Sequence, residues 1–285
     1  MADQAILPGI EIRPATWPAA IAEYLVERST AGCARSSLVS FRCDLQILAK
    51  MFPDRDPVTL DIKEARWAVD QAGKNPFTAA RRHGTWRTFY RWLRDRGWIE
   101  ESPFRFSFEL TPREHNSIHI LTPSQIETLL SAEDPAAAFV VRLLWETGMK
   151  SNEALNLQGG DLNFAESMIY IRGRIERSVP VSEALAEDYQ AYLEAENLKV
   201  GVNDKVFPFT RRWMEKQLHK VAQSTGIAFT AQTLRWNCAI VDLSRGLSED
   251  RLRIKLGYSE LSWHMHARPI LRPWLPHSAE ESSRQ

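Results

Sequence analysis

From Thr78 to Gly97 the chain reads TAARRHGTWRTFYRWLRDRG, and its apolar residues return at helical spacing. Trp86, Phe89, Tyr90 and Leu93 stand at i, i+3, i+4 and i+7, one face of an amphipathic helix. Arg87, Arg91 and Arg94 follow the same period on another face, and His83 is expected to extend that stripe by one turn. Three further helical patterns precede this one, at 18–29, 36–51 and 61–72, with the last at 78–96 and no convincing strand among them. Gly97 and Pro103 mark the stop. Residues 104–120 lack a clear period.

Order restarts at Thr122-Pro123-Ser124-Gln125. Thr122 can cap a helix, Pro123 suits its first position, and Gln125 can close a capping box. Asp134-Pro135 opens the next helix in the same way. Short strands are predicted at 168–172 and 178–181 around a Gly173-Arg174 turn. Helical patterns follow at 182–194, 210–225, 231–244 and 248–256. The expected architecture is mainly α with a small β-sheet. Its expected parts are an N-terminal extension (1–16), a helical domain (17–106), a linker (107–120), a second domain (121–267) and a Pro-rich, polar tail (268–285) that is irregular.

Composition narrows the class. The 285 residues are 44% hydrophobic and 25% charged, as in a soluble globular protein. No apolar run is long enough to span a membrane, and the N-terminus lacks the pattern of a signal peptide. Cys33, Cys43 and Cys238 are odd in number and unpaired in spacing, which reads as buried, reduced thiols of a cytoplasmic protein. Thirty-six basic residues balance 36 acidic ones, which weighs against a nucleic-acid partner unless charge is locally concentrated. The helix at 78–96 supplies such a concentration, since it carries no acid before Asp95. Like charges at i, i+4 repel, and a phosphate backbone is a common partner of helices that tolerate them. Arg211 and Arg212, with Lys216 and Lys220, read first as an exposed basic face and second as a DNA contact.

The order of several motifs carries a family resemblance. Thr78-Ala79-Ala80-Arg81-Arg82, then Phe89-Tyr90-Arg91-Trp92-Leu93 and Ile99-Glu100-Glu101-Ser102-Pro103, resemble the last helix and exit of the core-binding domain of tyrosine recombinases. Leu121-Thr122-Pro123 resembles the opening of their catalytic domain, and Thr147 to Leu155 their first arginine box. Val179-Pro180-Val181 is similar to the strand after the catalytic-lysine turn. Gln232-Thr233-Leu234-Arg235-Trp236 resembles the His-x-x-Arg box, and Leu256-Gly257-Tyr258-Ser259 the Leu-Gly-His-Ser motif. The chain is thus identified as a member of the Xer-like tyrosine recombinase, or phage integrase, family. That implies a two-domain, C-shaped clamp on duplex DNA and no cofactor.

In that family a tyrosine attacks the scissile phosphate and two arginines hold its non-bridging oxygens, where transition-state charge builds. A turn lysine protonates the leaving oxygen, a histidine acts as acid/base partner, and a second His or Trp holds the phosphate. This sequence departs at almost every position. Lys150 stands for the first arginine, Arg174 for the turn lysine across a shortened turn, Gln232 for the first histidine and Tyr258 for the second. Arg235 alone matches. The nucleophile's position, ten residues after Gly257, is Ala267. The resemblance therefore implies a binder that does not cut. Lys150, Arg174, Gln232, Arg235 and Tyr258, with Arg81, Arg82, Arg87, Arg91, Arg94, Arg211 and Arg212, are its expected DNA contacts. Expected roles are to mark a site for a transposase, to partner an active recombinase, or to regulate a mobile element. An active recombinase with a displaced nucleophile, Tyr258, and a protein–protein scaffold are the alternatives. His264 and His266 read as surface or packing histidines, without carboxylate or thiol neighbours at zinc-ligand spacing.

Overall fold

The computed structural model describes residues 13–107 and 118–275. Most of the expected N-terminal extension and linker, and the end of the tail, lie outside the described residues. The chain forms two compact units, Met1–Arg113 and Glu114–Gln285. Among the described residues no helix is long and apolar enough to cross a membrane.

The first unit holds α1 (Trp17–Thr30), α2 (Arg35–Met51), α3 (Ile62–Asp70) and α4 (Pro76–Asp95). Its core is aromatic. Trp86, Phe89, Tyr90 and Leu93 of α4 are buried with Trp17, Tyr24 and Leu25 of α1 and Leu45 and Leu48 of α2. Each such side chain contributes about 1.5–3 kcal/mol. Two buried polar tips reach backbone carbonyls distant in the chain. The Trp86 indole donates to the Asp44 carbonyl oxygen at 2.8 Å and the Tyr90 hydroxyl to the Pro57 carbonyl at 2.7 Å.

His83 corrects the expected stripe. It is only 4% exposed and its ring contacts Phe104 and Phe106. The reason is geometric. Four residues turn a helix by about 400°, so an i, i+4 ladder walks about 40° around the axis at each step. Two steps back from Arg91 the ladder has left the solvent face. The exposed strip instead runs Gly84, Arg87, Arg91, Arg94.

The second unit is built around α6 (Pro135–Thr147), which follows α5 (Pro123–Leu130). Thr122 and Gln125 form the expected capping box, and Asp134 caps α6 through the Ala137 amide. Phe139, Val140, Leu143 and Leu144 of α6 are fully buried. After α7 (Ser151–Ala154) come β1 (Leu162–Asn163), β2 (Met168–Ile171) and β3 (Arg177–Pro180). They form an antiparallel sheet in the order β1-β2-β3, with Ile169 opposite both Leu162 and Val179. The two-residue β1 has no readable period, and β3 begins one residue before the predicted strand. Then follow α8 (Glu183–Ala195), α9 (Arg211–Thr225), α10 (Ala231–Ser244) and α11 (Glu249–Lys255).

The C-terminal region departs most from expectation. After α12 (Glu260–Ser262) the backbone forms a π-helical turn, Trp263–Ala267, and then α13 (Arg268–Leu271) and a 3₁₀ turn, Arg272–Trp274. The segment predicted to be irregular is therefore helical over its described part. Pro269 and Pro273 each lie in the first turn of a new short helix, where a missing N–H is not costly. Leu271 and Leu275 are buried on their own unit, in a cluster with Trp236, Leu252, Leu256 and Trp263. The cysteines also differ from expectation. All three are free, but only Cys238 is buried, while Cys43 is exposed and Cys33 intermediate.

Candidate functional site

Two left-handed glycines bring the site together. Gly148 ends α6 with φ of 59°, and a Cβ there would stand 2.8 Å from a Leu256 methyl. Gly257 follows α11 with φ of 64°, and a Cβ there would stand 2.5 Å from Arg177 Nη1. Both positions combine a backbone that L-residues rarely adopt with no room for a side chain. They let the end of α6 and the end of α11 approach one another.

Arg177 fills the space beneath. It is 5% exposed and faces inward from β3. Its Nε donates to the Lys255 carbonyl oxygen at 2.6 Å and its Nη2 to Glu153 Oε2 at 2.9 Å. Burial alone would raise the Glu153 carboxyl pKa. The Arg177 guanidinium and the Lys150 amide, which donates to it at 2.8 Å, outweigh that and hold it below the ordinary range. β3, α7 and α11 are thus joined through one buried ion pair.

Arg235, from the first turns of α10, is 1% exposed. Its Nη2 donates to the Leu256 carbonyl oxygen at 2.6 Å and its Nη1 to that of Gly148. Its guanidinium is thus engaged by the two glycine-ended loops and is not an open fork. Its carbon lies 5.1 Å from the Tyr258 ring centroid, and Lys150 Nζ lies 5.3 Å from the same centroid. These are cation–π distances. Trp263 meets that ring edge-on at 5.9 Å. Tyr258 is therefore held between two cations and an indole.

Lys150 keeps an exposed surface while its ammonium stands over the Tyr258 ring. Lost hydration, followed by the charges of Arg235, Arg177 and Arg174, lowers the Lys150 pKa, against a partial opposing effect of Glu153. Arg174 is exposed in the β2–β3 turn, within electrostatic reach of Lys150. Gln232 is exposed one turn before Arg235 on α10. Lys150, Arg174, Arg235 and Tyr258 therefore share one neighbourhood.

Ala267 lies apart in character. It closes the π-helical turn with no exposed surface, packed with Trp236, Leu252, Leu256 and Trp263. Its neighbours His264, Met265 and His266 face outward. Cys238, on α10, is buried, and burial pushes its thiol up to about 12, which removes it as a nucleophile at neutral pH.

In the first unit the expected basic residues divide into two groups. Arg81 bonds the buried Asp44, Arg82 donates to the Ala72 carbonyl, and Arg94 pairs with Asp95 at 2.8 Å. Arg87 and Arg91 are exposed and form no ion pair among the described residues. On α9, Arg211 pairs with Glu215 and Lys220 with Asp134, both at 2.9 Å, while Arg212 and Lys216 are exposed.

Sequence reasoning gave Glu153 no role and missed Arg177. A signal existed, because strand alternation places Arg177 on the same inward face as Val179. The predicted strand began at residue 178 and left it out.

Residues 119–266, more than half of the chain, match the phage integrase family. The tyrosine recombinase XerC of Chromobacterium violaceum is 27% identical over 175 residues, 57% of this chain and 58% of that protein's length. The XerC of Corynebacterium efficiens is 27% identical over 251 residues, 81% of this chain and 79% of that protein. The Tn1549 transposon integrase, solved in complex with a circular intermediate DNA, superposes with a TM-score of 0.72 at 14% identity, over 95% of this chain and 98% of that one. The chain belongs to the phage integrase family, among the tyrosine recombinases.

Proposed function

We propose that this protein binds duplex DNA and holds a backbone phosphate at the Lys150–Tyr258 site without cutting it. The observation that carries the reading is Ala267. At the position where the family's pattern puts the attacking tyrosine stands a methyl group, buried in an apolar cluster. A methyl group cannot attack a phosphodiester. The surroundings have changed with it. Lys150 is a point charge and lacks the planar fork of an arginine. Gln232 can donate a hydrogen bond but cannot carry a proton between groups. Lys150, Arg174 and Tyr258 still offer cations and a hydroxyl to a phosphate. The integrase neighbour bound to DNA supports the choice of ligand. The role that fits is architectural, target-selecting or regulatory within a mobile element, beside a transposase or an active recombinase. The first unit acts as the core-binding domain.

The test is a duplex nicked near the site bound best among genomic fragments. Salt-dependent binding with no denaturant-resistant protein–DNA adduct is expected.

A second reading has one observation in its favour. Tyr258 is a half-buried tyrosine fixed between Lys150 and Arg235, where an attacking phenol would have cations beside it. A covalent adduct that disappears with Tyr258→Phe would establish it as a displaced nucleophile and overturn the first reading.

A further inference from the structure

Gly84 has no structural reason to be glycine. It sits in the interior of the 20-residue α4, where glycine is the poorest helix former after proline. Its φ is not positive, unlike those of Gly148 and Gly257. A Cβ built on it meets nothing within 4 Å. Neither backbone conformation nor packing excludes a side chain, so the gap is open toward solvent.

The residues around the gap are not neutral to a ligand. Arg87 and Arg91 continue the exposed strip at i+3 and i+7. They repel one another at i, i+4 and form no ion pair among the described residues. No acid occurs on α4 before Asp95. The nearby Thr88 hydroxyl folds back on the helix, donating to the Gly84 carbonyl oxygen at 2.8 Å. One stretch of helix therefore gives up intrinsic stability twice, through glycine and through unpaired like charges.

We propose that Gly84 is the point where the sugar–phosphate backbone of a duplex rests directly on α4, its missing side chain setting how closely the strand approaches. Arg87 and Arg91 then hold phosphates of that strand from one side. The inference rests on the DNA-binding reading above and deepens it by placing a contact. A duplex fits better than an acidic peptide because two exposed forked donors one turn apart, beside a position with no side chain, suit a row of evenly spaced anions. The amide of Gly84 is already inside the helical ladder, so the contact is one of close packing, with the arginines supplying the charge.

The experiment compares wild type, Gly84→Ala, Gly84→Gln and Arg87→Ala in binding a fluorescent mixed-sequence duplex over a series of salt concentrations, with melting temperatures for each. A mixed sequence suffices, because phosphate contacts carry no sequence information directly. Gly84→Ala and Gly84→Gln are expected to melt at or above the wild-type temperature. Gly84→Gln is expected to bind at least about tenfold more weakly with an unchanged salt slope, because bulk is added and no charge is lost. Arg87→Ala is expected to weaken binding and flatten the slope by about one unit. If Arg87→Ala weakens binding and Gly84→Gln does not, the strand passes over the arginines without touching Gly84; the inference fails and the DNA-binding reading stands. If both variants bind as wild type does, α4 is outside the interface and the inference fails. If wild type binds no duplex, or a polyglutamate peptide displaces the duplex and Gly84→Gln loses that peptide, the reading and the inference fail together.

Discussion

Ala267→Tyr restores the residue that the family pattern places there, and the structure argues against a working enzyme on two separate grounds. The first is space. The Ala267 methyl has no exposed surface and shares its cluster with Trp236, Leu252, Leu256, Trp263 and Leu271. A phenol ring forced among them is overpacking, which costs about 1–3 kcal/mol. If the new hydroxyl stays buried without a partner, it adds about 1–3 kcal/mol more. For a unit of this size each kcal/mol moves the melting temperature by about 2–4 °C, so overpacking alone lowers it by about 2–12 °C. The second ground is chemistry. With Gln232 where the family resemblance puts the acid/base histidine, the missing proton transfer is expected to cost about 10²–10⁴ in rate. Lys150 compounds this by lacking the bidentate fork. Calorimetry and incubation with a nicked duplex, resolved on a denaturing gel, test the two grounds independently. The expected result is a lower melting temperature and no adduct. An unchanged melting temperature would refute the packing argument, showing that the π-helical turn can swing residue 267 outward. Robust cleavage would refute the chemical one.

Glu153→Gln removes one partner of the buried Arg177 ion pair and is expected to cost about 3–5 kcal/mol in urea denaturation. The Glu153 carboxyl is held below its ordinary pKa, so the unfolded chain takes up its proton at a higher pH than the folded one does. Its stabilisation is then full above the unfolded value and is lost as pH falls through the folded one; acid titration of stability should lose this component in Glu153→Gln. Lys150→Gln is expected to leave the melting temperature unchanged or raised while weakening duplex binding. Folding disfavours the Lys150 ammonium, so wild-type stability gains from this group as pH rises from its lowered folded pKa towards the unfolded value. Leu271→Ala is expected to cost about 2–5 kcal/mol, since this fully buried side chain anchors the C-terminal segment to its own unit; a cost near zero in chemical denaturation would mean that the segment is not docked in solution.

Much of this fold was legible because its signals are local. The Thr122 and Asp134 caps and the apolar face of α4 follow from residues a few positions apart, and the structure places them as read. What was not legible depends on long-range contacts or on small departures from ideal geometry. The π-helical turn breaks the 3.6-residue period on which the reading relies, so Ala267 could be numbered but not oriented. His83 was misplaced because an i+4 ladder was followed as if it ran straight. The pairing of Arg81 depends on the buried Asp44, 37 residues away. The burial of Arg235 depends on carbonyls 87 and 21 residues away. The sequence shows that an arginine stands there, but only tertiary contacts show that its guanidinium is engaged by backbone.

The zero formal charge looks unfavourable for a protein proposed to hold a polyanion, but a sum over the chain is the wrong quantity. Many acids are committed locally. Asp44 is bonded by Arg81, Glu27 by Arg96, Asp161 by Arg172 and Asp242 by Lys255. Such pairs cancel in the total and contribute little field at a distance comparable to the Debye length, about 8–10 Å. What matters is where a cation is left without a counterion. On α4 that is, among the described residues, Arg87 and Arg91. At the second site Glu153 is, among the described residues, the acid in hydrogen-bonding contact, and its carboxylate is already engaged by Arg177. Lost hydration first, and then the charges of Arg235, Arg177 and Arg174, lower the Lys150 pKa, so the cations of this site repel one another. A bound phosphate would offset that repulsion. Affinity at such a site comes from removing a standing electrostatic cost, which a neutral total does not oppose and a merely basic surface would not provide.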